Sequence, residues 1–143
     1  MFTLDFDSRL STWAKFRKKL ETDDSPLQSV IDFWLYAPII GHTRVLDPYY
    51  ISSWPNPWEI LNENRYDDFT KAVMIGYTLL LTERYKNSKI EVRTLVDNNK
   101  NRLYNSIYLD DKWVLNFQDN FVISVDNVPE TCNLENLIEL KRP

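Results

Sequence analysis

The hydrophobic period of this chain changes once, near residue 85, and this change restricts the folds that the chain can adopt. Before that point, apolar residues recur every three or four positions, as they do in amphipathic helices. After it, apolar and polar residues alternate through residues 90–125, with short polar turns between the runs. Helices followed by a meander predict an α+β fold, in which a central helix packs on a three- to four-stranded antiparallel sheet.

The 143 residues are predicted to form one domain with three parts. Residues 1–37 predict a helical hairpin, residues 38–64 an aromatic and proline-rich loop with a short helix, and residues 65–143 the central helix and the meander. Residues 134–140 fit either a last short strand or one helical turn. An apolar content of 43 % is sufficient for one core, so a wholly disordered chain is excluded.

Capping residues predict where the helices begin. Ser25 is followed by proline and, three positions on, by glutamine, which is the order of a capping box. Asn56 is followed by proline and, three positions on, by glutamate, so it is expected to cap the short helix. The central helix is predicted to begin at Asp67 or Asp68 and to end near Tyr85.

The counts of a few residue types exclude several classes of site. Two glycines are too few for a glycine-rich phosphate-binding loop. The single cysteine, Cys132, excludes a disulfide framework and a multi-cysteine zinc site, and the single histidine, His42, excludes a multi-histidine metal centre. These two residues lie in distant segments, which disfavours a nucleophile–base pair. We therefore expect no metal and no cofactor.

Positive charge is concentrated near the N-terminus. The chain has 17 basic and 21 acidic residues, for a net charge of −4, yet Arg9 to Leu20 contains basic residues and no acid. This stretch belongs to a predicted helix over residues 8–21. A basic helix face could bind an acidic protein or nucleic acid, with Lys15 and Lys18 as candidate contacts, but a solvated face is the simpler interpretation. A pI near 5.0 makes nucleic acid an unfavoured partner.

Aromatic residues are concentrated around the prolines of the loop. The segment from Trp54 to Trp58 reads Trp-Pro-Asn-Pro-Trp, and Tyr49 and Tyr50 precede it. Exposed aromatic residues beside prolines are typical of protein-recognition surfaces. The alternative is that these rings cover the core where regular structure is missing.

A second apolar line runs along the predicted central helix. Met74, Tyr77 and Leu81 follow one another at i, i+3 and i+7, beside the main apolar face. These residues fit either a second core face or an interface with a partner. The apolar run over residues 72–81 is too short to cross a bilayer, and no N-terminal stretch has the order of a signal peptide. No membrane association is therefore expected.

The order of a central helix and three antiparallel strands resembles the core of the transglutaminase-like branch of the papain-like superfamily. In that family a nucleophilic cysteine opens the central helix, a histidine lies in a following strand, and an aspartate follows a tryptophan-containing strand. The likeness covers residues 65–118: Tyr66–Phe69 stands at the helix start, and residues 102–113 stand as the histidine strand with its turn and Trp113.

The resemblance implies a member of that family without its catalytic residues. Tyr66, Arg102 and Asn116 stand at or near the positions of the cysteine, the histidine and the aspartate. A phenol, a guanidinium and a neutral amide cannot perform thiolate–imidazole chemistry. The resemblance therefore implies the fold and no thiol-dependent activity.

We expect a non-catalytic protein that acts by binding another protein or a second copy of itself. The asparagine-rich, glycine-poor composition and the Trp-Pro-Asn-Pro-Trp segment are similar to those of small proteins of tailed phages, which implies an accessory or virion-associated protein in the virion or the host cytoplasm. One alternative is a small hydrolase-like enzyme that gathers Tyr66, Arg102, Asp67 and Asp68 around one pocket. The other is a regulator that binds a host protein or nucleic acid through the basic first helix.

Overall fold

The computed structural model describes residues 1–41, 44–118 and 120–143, which contain four α-helices and five β-strands. In chain order these are α1 (Phe6–Leu20), α2 (Pro26–Trp34), α3 (Pro57–Glu63), α4 (Asp68–Leu80), β1 (Ile90–Asp97), β2 (Arg102–Leu109), β3 (Trp113–Gln118), β4 (Phe121–Ser124) and β5 (Cys132–Glu139). Short 3₁₀ turns occupy Ile51–Ser53 and Val125–Asn127. None of the helices in these ranges is long and apolar enough to cross a membrane.

The strands form one antiparallel sheet in the order β4-β3-β2-β1-β5. Four strands make the predicted meander, and β5 returns to pair with β1. The α+β class is therefore confirmed, but the sheet has five strands rather than three or four. The fifth strand has a weak sequence signal because Ile138 is its one buried residue. An edge strand that buries so little does not show regular alternation of apolar and polar residues.

The predicted caps differ in how well they match the structure. Asn56 accepts a hydrogen bond from the Glu59 backbone N–H at 2.9 Å, so the predicted cap of α3 is confirmed. The Glu59 side chain also accepts one from the Asn56 N–H at 3.1 Å, which completes a capping box. The capping box at Ser25 is wrong, because its side chain makes no cap bond. The Asp23 carboxylate instead accepts hydrogen bonds from the Ser25 N–H and the Ser29 hydroxyl, at 2.8 and 2.7 Å.

Helix α4 ends at Leu80, five residues before the predicted end near Tyr85. The buried Thr82 hydroxyl donates to the Leu79 carbonyl at 2.6 Å and accepts from the Tyr85 N–H at 3.1 Å. These local bonds compete with the continuation of the helix, as threonine hydroxyls commonly do at helix ends.

The main core lies between the helices and one face of the sheet, with α4 at its centre. Gly76 allows α4 to approach the strands closely: a Cβ atom there would lie 2.5 Å from Leu140 Cδ1 and 3.2 Å from Ile107 Cδ1. The opposite face of the sheet carries a smaller apolar cluster, in which Tyr104 and Phe117 stack with ring centroids 4.2 Å apart. The segment that leads into β5 covers this second cluster.

Candidate functional site

A cleft of about 460 Å³ opens where α4 begins. One wall is the segment that precedes α3, and the other is formed by residues of β1, β2 and β5. The residues that contribute polar or aromatic groups to it include Arg44, Tyr49, Asp67, Asp68, Asn105 and Glu135. The cleft therefore collects charged side chains from several elements at the N-terminus of the central helix.

Asp67 fixes one wall of the cleft to the start of α4. One of its carboxylate oxygens accepts hydrogen bonds from the Thr70 backbone N–H at 2.7 Å and the Thr70 hydroxyl at 2.6 Å, which caps α4. The other oxygen accepts a bond from the Val45 N–H at 3.1 Å. Because both oxygens are used in this way, Asp67 fixes the segment around Val45 to the start of the helix.

Asp68 joins α4 to the neighbouring strands. Its carboxylate accepts hydrogen bonds from the side-chain amides of Asn105 in β2 and Asn116 in β3, each at 3.2 Å. The Asn116 amide also donates to the Asn105 carbonyl oxygen at 2.8 Å, and Thr94 Oγ1 lies 2.9 Å from Asn105 Oδ1. Asn116 has a φ of 62°, a left-handed conformation that asparagine tolerates well. The helix start, β2 and β3 therefore meet at one polar cluster.

Asn105 is not among the residues that the sequence predicts for a site, although a signal is present. Asn105 stands between Leu103 and Ile107 at an apolar-facing position of the alternating strand β2. A polar residue that is 8 % exposed requires hydrogen-bond partners, which Asp68 and Thr94 supply here. The position therefore marked a buried polar contact, but the identity of its partners depends on the tertiary fold.

The three positions taken from the transglutaminase-like resemblance have different surroundings. Tyr66 is fully buried, with its ring 5.8 Å from that of Phe2. Arg102 is exposed, and its guanidinium lies 4.8 Å from the centre of the Tyr104 ring. Only Asn116 belongs to the polar cluster at the cleft. Strand geometry explains the separation, because Arg102 and Tyr104 share the face of β2 opposite to Asn105.

This separation contradicts the requirement of the enzyme alternative that its four residues surround one pocket. Asp67 and Asp68 line the cleft, whereas Tyr66 packs into the core and Arg102 lines a different depression beside Tyr104. The four residues therefore do not surround one pocket. Of the two adjacent carboxylates, Asp67 caps the helix and Asp68 accepts hydrogen bonds from two side-chain amides, so both take part in bonds that join neighbouring elements. The prediction that the chain is not an enzyme stays a prediction.

Replacing Tyr66 by phenylalanine is expected to raise the free energy of unfolding by about 1 kcal/mol, because the buried Tyr66 hydroxyl has no hydrogen-bond partner among the described residues. Burial also raises the pKa of the Tyr66 phenol well above its usual range. In the unfolded chain the Tyr66 phenol ionises near pH 10, whereas in the folded chain it stays protonated. The free energy of unfolding should therefore fall as the pH rises above about 10. Urea titrations at neutral and alkaline pH test both effects. A Tyr66→Phe variant that is less stable, or that loses as much stability above pH 10, would contradict them.

The structure divides the predicted aromatic surface into buried and exposed parts. Trp54 donates from Nε1 to the Asp47 carbonyl at 2.7 Å and packs edge-on against Phe69, and Trp58 packs edge-on against the core. Both rings therefore cover the core, as the alternative interpretation of this segment expects. Tyr49 and Tyr50 are 69 % and 61 % exposed. Together with Ile51, which is 52 % exposed, they form what we call the apolar rim, and Tyr49 also lines the cleft.

The second apolar line of α4 belongs mainly to the core. Met74 is fully buried, which removes it from the predicted interaction surface. Tyr77 and Leu81 are half-buried and pack against the main core. A helix in the centre of a domain has apolar neighbours on two sides, which explains the second line without a partner.

The basic stretch of α1 is only partly a solvated face. Lys15 and Lys18 are exposed, as predicted. Arg9 is buried and donates hydrogen bonds to backbone carbonyls near the end of α3. The Arg17 guanidinium lies 4.4 Å from the centre of the Trp13 ring. The positive surface that could meet a partner is therefore smaller than the sequence indicates.

Cys132 lies at the start of β5, away from the cleft. Its Sγ atom is 3.9 Å from a carboxylate oxygen of Asp97. The pKa of the thiol is raised mainly by burial and, to a smaller extent, by the negative charge of Asp97. A thiol with a raised pKa is a poor nucleophile at neutral pH. His42, the other half of the proposed pair, lies outside the described residues. Within the described part of the chain, no group of three or more His, Cys, Asp or Glu side chains could hold a metal ion.

Comparisons with known proteins gave no relative for this chain. No family model, curated protein or solved structure matches it. The functional conclusion therefore rests on the cleft and the apolar rim.

Proposed function

We propose that this chain is a non-catalytic protein that binds another protein through the cleft and the apolar rim. The exposure of three consecutive large side chains, at residues 49–51, is the observation that supports this function best. Exposed apolar residues that adjoin one another next to a concave surface are typical of protein-binding sites. Tyrosine is common in such sites because a rigid ring gives much contact area at a small cost in conformational entropy.

The backbone that carries the rim is fixed before any partner binds. The Asp47 side chain accepts a hydrogen bond from the Tyr49 N–H at 2.9 Å, and the Asp47 carbonyl accepts one from the Trp54 indole. The Ser53 hydroxyl donates to the Tyr50 carbonyl at 2.6 Å. A preorganised loop loses little entropy on binding, so more of the contact energy contributes to affinity.

The charges in the cleft indicate the character of the segment that enters it. Asp68 and Glu135 are exposed and form no ion pair with any described residue. Arg44 lines the same cleft but is paired with Asp47 at 3.7 Å. We therefore propose that the partner inserts a basic side chain, flanked by apolar residues that contact the rim. The asparagine-rich, glycine-poor composition supports placing this partner in a phage assembly.

Site-specific photo-crosslinking in the cells that naturally make this protein tests the proposal. A photoreactive residue at position 49 or 50 should capture one defined protein, which mass spectrometry identifies. Position 36 is the matched control, because Tyr36 is 81 % exposed but does not line the cleft. Capture of the same protein from all three positions, or of none from positions 49 and 50, would contradict the proposal.

Charge reversal distinguishes this proposal from the regulator alternative. A Lys15→Glu/Lys18→Glu variant should still be crosslinked from position 50, since both lysines lie on α1 and neither lines the cleft. Loss of the crosslinked product in that variant would instead favour recognition through the basic helix.

A further inference from the structure

The outer edge of β5 is the longer of the two free edges of the sheet. β5 has eight residues, whereas β4, at the other edge, has four and lies beside α2. We propose that two copies of this chain pair antiparallel through their β5 strands and so form one continuous sheet. This edge adjoins the cleft, because Glu135 belongs to both, but the pairing uses the backbone of β5 and not the apolar rim, so the inference does not depend on the proposed function.

Two hydrogen bonds show which backbone groups of β5 point outward. The Ile90 carbonyl accepts from the Leu140 N–H at 2.9 Å, and the Lys89 carbonyl accepts from the Asp110 N–H at 2.8 Å. In an antiparallel strand, alternate residues bond to opposite neighbours. Even-numbered residues of β1 therefore bond to β5, and odd-numbered residues bond to β2.

The two exposed leucines of β5 lie opposite odd-numbered residues of β1. Leu134 is opposite Leu95, and Leu137 is opposite Arg93. The backbone N–H and C=O groups of both leucines therefore point away from β1. Their side chains are 54 % and 41 % exposed. Each leucine thus offers unpaired backbone groups and an apolar side chain at the same place on the edge.

A β-bulge places these two leucines on the same face of the sheet. Leu134 pairs with Leu95 and Asn136 with Thr94, so Glu135 is an extra residue between them. In a regular strand, residues three positions apart point to opposite faces. The extra residue restores the same orientation, and both leucines lie on the face that carries the smaller apolar cluster.

The edge is self-complementary about a twofold axis between Glu135 and Asn136. Antiparallel pairing about this axis sets Leu134 opposite Leu137 of the second copy, and Leu137 opposite Leu134. Both members of each pair have outward backbone groups, so each pair can exchange two hydrogen bonds. Such an interface uses the same patch on both copies, as twofold dimers do.

The charges of β5 are compatible with this register. Glu135 would face Asn136 of the second copy, and Glu139 would face Cys132. Neither carboxylate faces another carboxylate, and a side-chain amide can donate to Glu135. Like charges directly opposite each other, which destabilise strand pairs, are therefore avoided.

Analytical ultracentrifugation of the full chain over a range of concentrations tests the dimer. The wild-type chain should sediment as a dimer, and Leu134→Lys/Leu137→Lys should raise the dimer dissociation constant at least ~10-fold, since lysines on an edge oppose pairing. Phe121→Lys, at the β4 edge, is the matched control and should remain dimeric. A monomeric wild-type chain, or a dimer that only Phe121→Lys disrupts, would overturn the proposal.

Crosslinking through the native cysteine tests the register. In the proposed pairing, Glu139→Cys places a second thiol opposite Cys132 of the other copy, and mild oxidation should give a disulfide-linked dimer. Glu63→Cys, on α3, should not. Equal crosslinking of the two variants, or none from Glu139→Cys, would overturn this register.

Discussion

Replacing Thr78 by valine is expected to lower the free energy of unfolding by about 2–5 kcal/mol, because two buried indole groups lose the one hydrogen-bond acceptor that they have among the described residues. The fully buried Thr78 hydroxyl accepts from Nε1 of Trp13 and from Nε1 of Trp34, each at 3.0 Å. It also donates to the Met74 carbonyl at 2.6 Å. One hydroxyl thus connects α1, α2 and α4, and its single donor and two acceptor sites are all used.

Thr78→Ser is the matched control, since it keeps the hydroxyl and removes one methyl group. Its cost should be about 1 kcal/mol. Urea unfolding followed by tryptophan fluorescence compares both variants with the wild-type chain. A Thr78→Val variant as stable as Thr78→Ser would show that the hydroxyl does not carry the stabilisation assigned to it.

Replacing Arg9 by methionine is expected to lower the free energy of unfolding by about 2–4 kcal/mol. The buried guanidinium donates to the carbonyls of Leu61 at 3.3 Å and Asn62 at 3.1 Å, and also to the carbonyl of Leu4. Leu61 and Asn62 belong to the last turn of α3, where the carbonyl oxygens have no partner within the helix. Methionine keeps the apolar stem but removes the donor from these acceptors, of which the Leu61 carbonyl is buried.

Arg17→Met is the comparison for this variant. Arg17 lies on the same helix and stacks on a tryptophan ring, but its Nε atom has no hydrogen-bond partner among the described residues. Its replacement should therefore cost clearly less than that of Arg9. Equal losses in the two variants, measured by urea unfolding, would contradict a specific role for the bonds from Arg9 to α3.

Features encoded by neighbouring residues could be predicted from the sequence. The change of hydrophobic period indicated the α+β class, and the Asn56 cap and the start of α4 at Asp67 or Asp68 lie where the sequence predicts them. The Ser25 cap failed because Asp23, two residues earlier, competes for the same backbone region. The fifth strand was uncertain because one buried residue does not create a readable period.

The side chains of the cleft contact residues from distant segments, so their partners could not be predicted from the sequence. The exposure of Tyr49 and Tyr50 agrees with one of the two interpretations of the aromatic loop, but the burial of Met74 follows from neighbours on two sides of α4. The bond from Asn105 to Asp68 joins residues 37 positions apart. No local pattern specifies such a pair, because its partners are brought together only by the packing of the helix on the sheet.

The central claim is that this chain acts by binding through the apolar rim. The most direct test uses the protein captured by crosslinking and measures its affinity for a Tyr49→Ser/Tyr50→Ser variant. Because both side chains are exposed, the free energy of unfolding should change by no more than about 0.5 kcal/mol. The dissociation constant of the complex should rise ~10- to 100-fold, whereas Tyr36→Ser should leave it unchanged. A Tyr49→Ser/Tyr50→Ser variant that binds as tightly as the wild-type chain would contradict this account.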